Sequence, residues 1–411
     1  MIFSDFDEIQ TTLENRTILR FSHASSLEAG TEIHIKNLNH ILLERNSITI
    51  INLYMPEESS VQIKITEIGK GKIIHIPLEY KKPRRGIFYK LRNLFCKLVF
   101  MPLYMNSFRE VVNMRCVAHD LIKKYKPDLV VNHFIGGRDS LILMQVAASF
   151  KIPVLVINHF HNSWFNKFPI RYQTSFANAV GSLSYLDVPN YLRGKYINLS
   201  NGIDTDFFDP SLVQLSLKSE FKVPVLLLPA RVVRNKGHFD LLEIALELKK
   251  SGLDTSVIFA GRFYSVKYKK QLENFIDSND MGSYVFFCGM VTQQLLRQLY
   301  AKASLLVFPT YHDEGIPRVV LEAQAMECPV VCYGSGGTPQ ALLDNETGFC
   351  VETGNKATLK EKIIILLRND NFRLNMGKKG RGFVEQNFSL PALAQKHEFA
   401  YASLIERSQG N

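Results

Sequence analysis

Residues 223–252 read VPVLLLPARVVRNKGHFDLLEIALELKKSG. The short apolar run between two prolines reads as a buried strand, ARVVRNKG as a loop, and HFDLLEIALELKKSG as a helix. The same unit recurs downstream. TSVIFAGRF (255–263) leads to the helical YKKQLENFIDSN (268–279), then come YVFFCGMV (284–291), LLRQLYAKA (295–303), SLLVFPTY (304–311), RVVLEAQAM (318–326) and PVVCYGSGG (329–337). Upstream, RTILRFSHAS (16–25), EAGTEIHIKNLNHILLERN (28–46) and SITIINLY (47–54) alternate in the same way, as do PDLVVNHF (127–134), RDSLILMQVAASFK (138–151) and IPVLVINHFHNS (152–163). Apolar strands alternating with helices predict parallel sheets with helices on both faces. The expected fold class is α/β: two doubly wound, Rossmann-like domains in series, joined by the turn-rich NLSNGIDTDFFDPS (198–211). In such sheets ligands sit at the carboxyl ends of strands, and two domains in series place a cleft between them.

The bulk numbers agree. A chain of 411 residues is longer than one core usually grows, and 46% hydrophobic with 21% charged residues is ordinary for a folded protein. Cysteines 96, 116, 288, 328, 332 and 350 form no CxxC pair and lie mostly in apolar runs, which favours buried free thiols over a disulfide framework or zinc site. MIFSDFDEIQ carries acids where a secretory signal has a basic region, and no uncharged apolar run approaches the ~20 residues of a membrane span. The expected location is cytoplasmic, in peripheral contact with the inner face of the plasma membrane.

Glu314 and Glu322, in DEGIPRVVLEAQAM (313–326), stand eight positions apart, which raises the acid and base pair of a glycosidase. With Pro317 suited to the first helical position, however, Glu314 falls in the loop after a strand and Glu322 more than a turn inside the helix. The pair brackets a helix N-terminus, whose free N–H groups and partial positive charge favour phosphate. A plainer alternative remains at this point, in which Glu322 is an exposed helix acid and Glu314 a loop acid. Arg231 and Lys236 follow another strand and could clamp a diphosphate.

EGIPRVVLEA, the stretch from Arg231 to Lys236-Gly237, NGIDTDFF and TGFCVETGN together resemble family 4 of the retaining glycosyltransferases, which have the GT-B fold. The resemblance is nearly continuous from about 222 to 390 and looser upstream. It implies an acceptor-binding domain over 1–204, a donor-binding domain over 205–387, and a C-terminal helix, about 388–411, packed back on the first domain. It implies that Arg231 and Lys236 bind the donor diphosphate, that Glu322 hydrogen-bonds the ribose, and that Glu314 contacts the donor sugar. Gly315, Ile316 and Pro317 then border sugar and phosphate, Met290 and Val291 lie against the nucleobase, and Gly261 and Arg318 join the donor-binding set. In the first half, Ala29 and Gly30 match a glycine-rich turn, and His133 and His159 match polar residues lining the cleft; Glu314, Arg231, Lys236 and, of the two histidines, His159 are the residues expected to be catalytic. No cofactor and no metal are implied. The chain departs from the family pattern at Ala29-Gly30, where two glycines are usual, at Glu327, which replaces a glycine, and at Gln340, where an acid is common.

Two lookalikes are discounted. DTD (204–206) imitates a metal-binding motif of another glycosyltransferase fold but sits in the linker, and YGSGGTP (333–339) has a proline in place of the third glycine of a dinucleotide fingerprint.

The net charge of +10 is concentrated: residues 70–128 hold fourteen Lys or Arg against four Asp or Glu. Within them, KKPRRGIFYKLRNLFCKLVFMPLYM (81–105) resembles an interfacial helix for an anionic membrane surface, the alternative being a core-packed amphipathic helix. Nucleic acid is not an expected partner, since no recognition motif is present. The function expected is transfer of a sugar from a nucleotide-sugar donor, UDP-sugar favoured over GDP-sugar, to a hydroxyl of a glycan or polyprenyl-linked acceptor in cell-surface glycan synthesis. Alternatives are an epimerase or phosphorylase of the same fold, or a non-catalytic nucleotide-sugar-binding scaffold.

Overall fold

The computed structural model describes residues 13–21, 30–54, 63–77, 108–133, 138–158, 168–182, 188–199, 201–213, 224–313 and 315–410. The chain divides into two units, Met1–Leu199 with Ala394–Asn411, and Ser200–Leu393.

In the first unit the described strands are β1 (Thr17–Phe21), β2 (Thr49–Tyr54), β3 (Lys64–Ile68), β4 (Gly71–Pro77), β5 (Leu129–Asn132), β6 (Val154–Asn158), β7 (Ala179–Ser182) and β8 (Tyr196–Asn198). They form one sheet in the order β3-β4-β2-β1-β5-β6-β7-β8, parallel throughout except for β3, which pairs antiparallel with β4. The described helices are α1 (Gly30–Arg45), α2 (Phe108–Tyr125), α3 (Arg138–Ser149) and α4 (Phe168–Thr174). β1, β5, β6 and β7 are buried almost throughout, which is why their sequences are apolar runs and not alternations.

One member of this core is unexpected. Arg20 on β1 is fully buried, its guanidinium bonding Asn39 of α1 and, at 3.0 Å, the Tyr401 hydroxyl of the last helix. Glu398 on that helix meets Asn46 at 2.7 Å and Arg45 at 3.4 Å.

The second unit is a six-stranded parallel sheet of β9 (Val225–Leu228), β10 (Ser256–Ala260), β11 (Val285–Gly289), β12 (Leu305–Phe308), β13 (Val330–Tyr333) and β14 (Gly348–Val351), in the order β11-β10-β9-β12-β13-β14. Its helices are α5 (His238–Lys250), α6 (Val266–Ser278), α7 (Gln293–Lys302), α8 (Arg318–Ala325), α9 (Lys356–Arg368) and α10 (Asp370–Phe388), and α11 (Leu390–Gln409) follows. Side-chain caps from Ser265, Thr292, Asn355 and Asn369 start α6, α7, α9 and α10. The strand order reverses between β9 and β12, neighbours in the sheet but not in sequence. That reversal is where an open parallel sheet leaves a crevice beyond its carboxyl edge.

The segment read as a linker is partly core. Ile203 and Phe208 are buried, and Ile203 exchanges backbone hydrogen bonds with Phe388 and Leu390 at 2.7 and 3.0 Å. Two acids of this segment have local structural work: Asp204, in the DTD lookalike, accepts from the Phe207 N–H, and Asp209, beyond it, accepts from the Ser211 N–H and meets Arg381 at 3.7 Å.

Candidate functional site

The candidate residues of the second unit collect along one edge of its sheet. After β9 the chain passes exposed Arg231, makes a short 3-10 turn at Arg234–Lys236, and enters α5 through Gly237. Gly237 has φ 72°, and a Cβ there would fall 2.0 Å from the Pro309 carbonyl oxygen, so the loop after β12 can lie directly upon it. Two hydrogen bonds fasten those loops: Tyr311 N–H and Thr310 Oγ1 both donate to the Asn235 carbonyl, at 2.9 and 3.2 Å.

Lys236 is 4% exposed, its Nζ lying 5.9 Å from the centre of the Phe308 ring. Burial, with Arg231 nearby, pulls its pKa down to about 8. Such a cation gains most from an anion brought to it. Next to it, His238 is fully buried against Phe259 and Tyr268, and burial lowers its pKa to about 4.

The neighbouring strand ends continue the row. After β10, Gly261 packs so closely that a Cβ would stand 1.9 Å from the Ala230 carbonyl oxygen, which brings this turn against the start of the Arg231 loop. The Tyr264 ring lies 5.8 Å from the guanidinium carbons of both Arg231 and Arg262. After β11, Met290 is 84% exposed and Val291 half-buried. A thioether so exposed at a strand end is an apolar surface for a flat ligand.

Beyond β12, Gly315, Ile316 and Pro317 lead into α8. Pro317 is the N-cap residue, in extended conformation, with Arg318 first in the helix; the sequence reading had put the proline in that first place. The turn is held from two sides. Asn201 Nδ2 donates to the Ile316 carbonyl at 3.0 Å, and a Cβ on Gly337 would come within 2.8 Å of the Gly315 carbonyl carbon. Ser335 Oγ donates to Asp313 at 3.0 Å, so the YGSGG turn, set aside as a dinucleotide lookalike, is a wall of this loop.

Glu322 is 5% exposed, which overturns the plainer alternative of an exposed helix acid. Its Oε2 accepts from fully buried Tyr300 at 3.2 Å and its Oε1 from Arg318 at 3.4 Å. Burial raises its pKa, and Arg318 and Tyr300 oppose that rise. A carboxylate has about four acceptor positions, so both oxygens keep capacity for a further donor.

Of the first-unit candidates, Gly30 is the first residue of α1 after β1, and His133, buried, follows β5 with its N–H bonded to the Phe21 carbonyl at 3.0 Å. β1 and β5 are the neighbours at which that sheet reverses, so both stand at its crevice. Glu314, His159, Ala29 and the basic segment 81–105 lie outside the described residues. Asn201, Tyr300 and Ser335 were missed in the sequence because nothing local marks a side chain that supports a loop distant in the chain.

Residues 216–383 match the family described as Glycosyl transferases group 1. The capsular polysaccharide biosynthesis glycosyltransferase CapM of Staphylococcus aureus is 30% identical over 44% of this chain and 46% of its own, so the match spans about half of that relative. A GDP-mannose-dependent monoacylated alpha-(1-6)-phosphatidylinositol monomannoside mannosyltransferase of Corynebacterium glutamicum is 25% identical over 68% of this chain and 78% of its own. Among solved structures, a glycosyltransferase from Rickettsia africae ESF-5 superposes with a TM-score of 0.71 at 18% identity, covering 95% of this chain and 99% of that one. Anabaena Alr3699/HepE in complex with UDP gives 0.69 at 15% identity, covering 94% and 100%. These two share the architecture, two parallel-sheet α/β domains of GT-B type.

Proposed function

We propose that the chain is a retaining, metal-independent glycosyltransferase that moves a hexosyl or N-acetylhexosaminyl group from a nucleotide sugar to a hydroxyl of a glycan or lipid-linked acceptor. The observation that carries the reading is the nearly buried Lys236 cation at the sheet's reversal, near Arg231, with α8 opening after the adjacent strand β12, within the segment that matches group 1 glycosyltransferases. Positive groups placed where a diphosphate departs stabilise the charge that builds up on it.

In this reading Lys236 and Arg231 hold the two phosphates, and the backbone of Gly315–Arg318 borders them. Pro317 offers only its carbonyl. Glu322 accepts from the ribose hydroxyls, Met290 and Val291 back the base, and Glu314 contacts the sugar. The acceptor hydroxyl attacks the face from which the diphosphate leaves, and the leaving phosphate takes its proton. His159, Ala29, Gly30 and His133 serve the acceptor side.

UDP-sugar is the first donor to test. The GDP-mannose-dependent relative favours a second reading with a guanine base. Calorimetric titration of the full chain with UDP, GDP and their sugars, with EDTA present, separates the two. Binding of neither, or sugar transfer that survives both Arg231→Ala and Lys236→Ala, would overturn the site.

A further inference from the structure

Cys332 and Cys350 have no part in the donor reading, and the fold sets them face to face. They are partners in register on the parallel strands β13 and β14, so both side chains leave the same face of the sheet. Both are free, and Cys332 Sγ donates to the carbonyl of Phe349, the residue before Cys350, at 3.6 Å. Opposed strand residues lie about 4.8 Å apart, inside the range of about 4.4 to 6.8 Å that a disulfide spans.

Their surroundings differ. Cys332 is fully buried, with β12 and β14 on either side of its strand, whereas Cys350 is half-buried on the outermost strand. The neighbouring Cys350 sulfur, together with burial, holds the Cys332 thiol well above its ordinary pKa, and Cys332 draws Cys350 down. Cys350 is therefore the sulfur that meets an oxidant first.

The pair is wired to the loop that borders α8. Gly334 N–H donates to the Val351 carbonyl at 2.8 Å, and a Cβ on Gly334 would stand 3.2 Å from Cys350 Sγ. Gly334 opens the turn whose Ser335 and Gly337 rest on Asp313 and Gly315. Bringing the two sulfurs to bonding distance, about 2.05 Å, turns the Cys350 Cβ–Sγ arm towards β13 and changes its fit in the space beside Gly334 that Sγ borders. The Gly334 backbone, bonded to Val351 and packed against Cys350 Sγ, is the neighbour that must accommodate that rotation.

We propose that Cys332 and Cys350 form a dithiol that a hydroperoxide closes to a disulfide, and that closure weakens nucleoside-diphosphate binding at the neighbouring strand ends. The second half rests on the donor reading above. The Cys350 thiolate attacks the terminal peroxide oxygen: the S–O bond forms, the O–O bond breaks, and the alkoxide or hydroxide leaves, taking up the proton Cys350 had lost. Cys332 then attacks the sulfenic sulfur; the S–S bond forms, the S–O bond breaks, and hydroxide departs with the Cys332 proton as water. The two sulfurs together lose two electrons, and the peroxide gains them.

The test uses the reduced full chain titrated with hydrogen peroxide. Cleavage at Glu346 separates Cys332 from Cys350, so mass spectrometry without reductant reads the cross-link directly. The expected result is a joined peptide pair lighter by two hydrogens and reopened by dithiothreitol, with UDP or GDP binding weakened by about fivefold or more in the closed form. Cys350→Ala should keep its affinity under peroxide, which separates the switch from oxidation of exposed Met290; in Cys332→Ala, dimedone should trap a sulfenic acid at Cys350. A Cys350 that proceeds to sulfinic acid without a cross-link, or a closed form that binds as tightly as the reduced one, overturns the switch alone. Absence of binding by the reduced chain overturns the switch and the donor reading together.

Discussion

A lysine kept from water is a cost that the folded protein carries, and Lys236 shows that balance in one residue. With its pKa lowered to about 8, the folded chain releases the proton earlier than the unfolded one, so its burial penalty is present below pH 8 and is relieved as pH rises from about 8 towards the usual lysine range. Lys236→Met should therefore raise the melting temperature of the unliganded protein while weakening nucleoside-diphosphate binding by roughly 10- to 100-fold, the worth of a charge-assisted contact. In the unaltered chain, affinity for the diphosphate should fall about tenfold between pH 7 and 9 as the cation titrates, a slope that titration calorimetry in buffers of different ionisation enthalpy would show as proton uptake. His238 acts in the opposite range. Its folded pKa near 4 lies below its ordinary value, so stability is lost as pH falls from about 6.5 towards 4. The loss is on the order of 3 kcal/mol, and His238→Phe should flatten that part of an acid denaturation curve. Neither charge state was legible in the sequence. Lys236 could be named as a phosphate ligand from its place after a strand, but its burial depends on Phe308 and the loop above it, about seventy residues away.

At the scale of elements, the turn geometry was legible where glycine marks it and hidden where another residue takes that place. Gly261→Val should destabilise the second unit by about 3 kcal/mol or more, because the new Cβ meets the Ala230 carbonyl and not a side chain able to give way; urea unfolding measures it, and a change under 1 kcal/mol would contradict the packing. Glu327, read from the sequence as a departure from a glycine pattern, sits between α8 and β13 at φ 55°, in the left-handed region. Its carbonyl lies where a Cβ on Gly377 of α10 would be 2.1 Å away, so neighbouring backbone enforces the conformation. Glu327→Gly should then be stabilising by about 1 kcal/mol, the strain relieved exceeding the entropy glycine adds to the unfolded chain. The strands that escaped the sequence reading have their own reasons. β3 is a largely exposed edge strand whose KITEI has neither an apolar run nor strict alternation, and β7 and β8 are too short to stand out from their flanks.

Over the whole molecule, two units each with its own sheet predict a local response to donor. Nucleoside diphosphate should slow amide exchange at 231–237, 261–264, 289–291 and 315–319, all within Ser200–Leu393, and leave β1, β5 and β6 of the first sheet unchanged. Hydrogen-exchange mass spectrometry with UDP or GDP checks this, and protection confined to other segments would move the site. Among the described residues no helix is long and apolar enough to cross a membrane. The amino-acid sequence by itself determined the alternation of strand and helix, the parallel sheets that follow from apolar runs, and the strand-end positions of Arg231, Lys236, Gly261, Met290 and Gly315, because these depend on periodicity and neighbours a few residues apart. Tertiary structure alone decided that Glu322 is buried on Tyr300, that Asn201 and Ser335 brace the α8 turn, and that Cys332 meets Cys350. Those contacts join segments between 18 and 115 residues apart in the chain; strand order brings them together, and no local pattern encodes strand order.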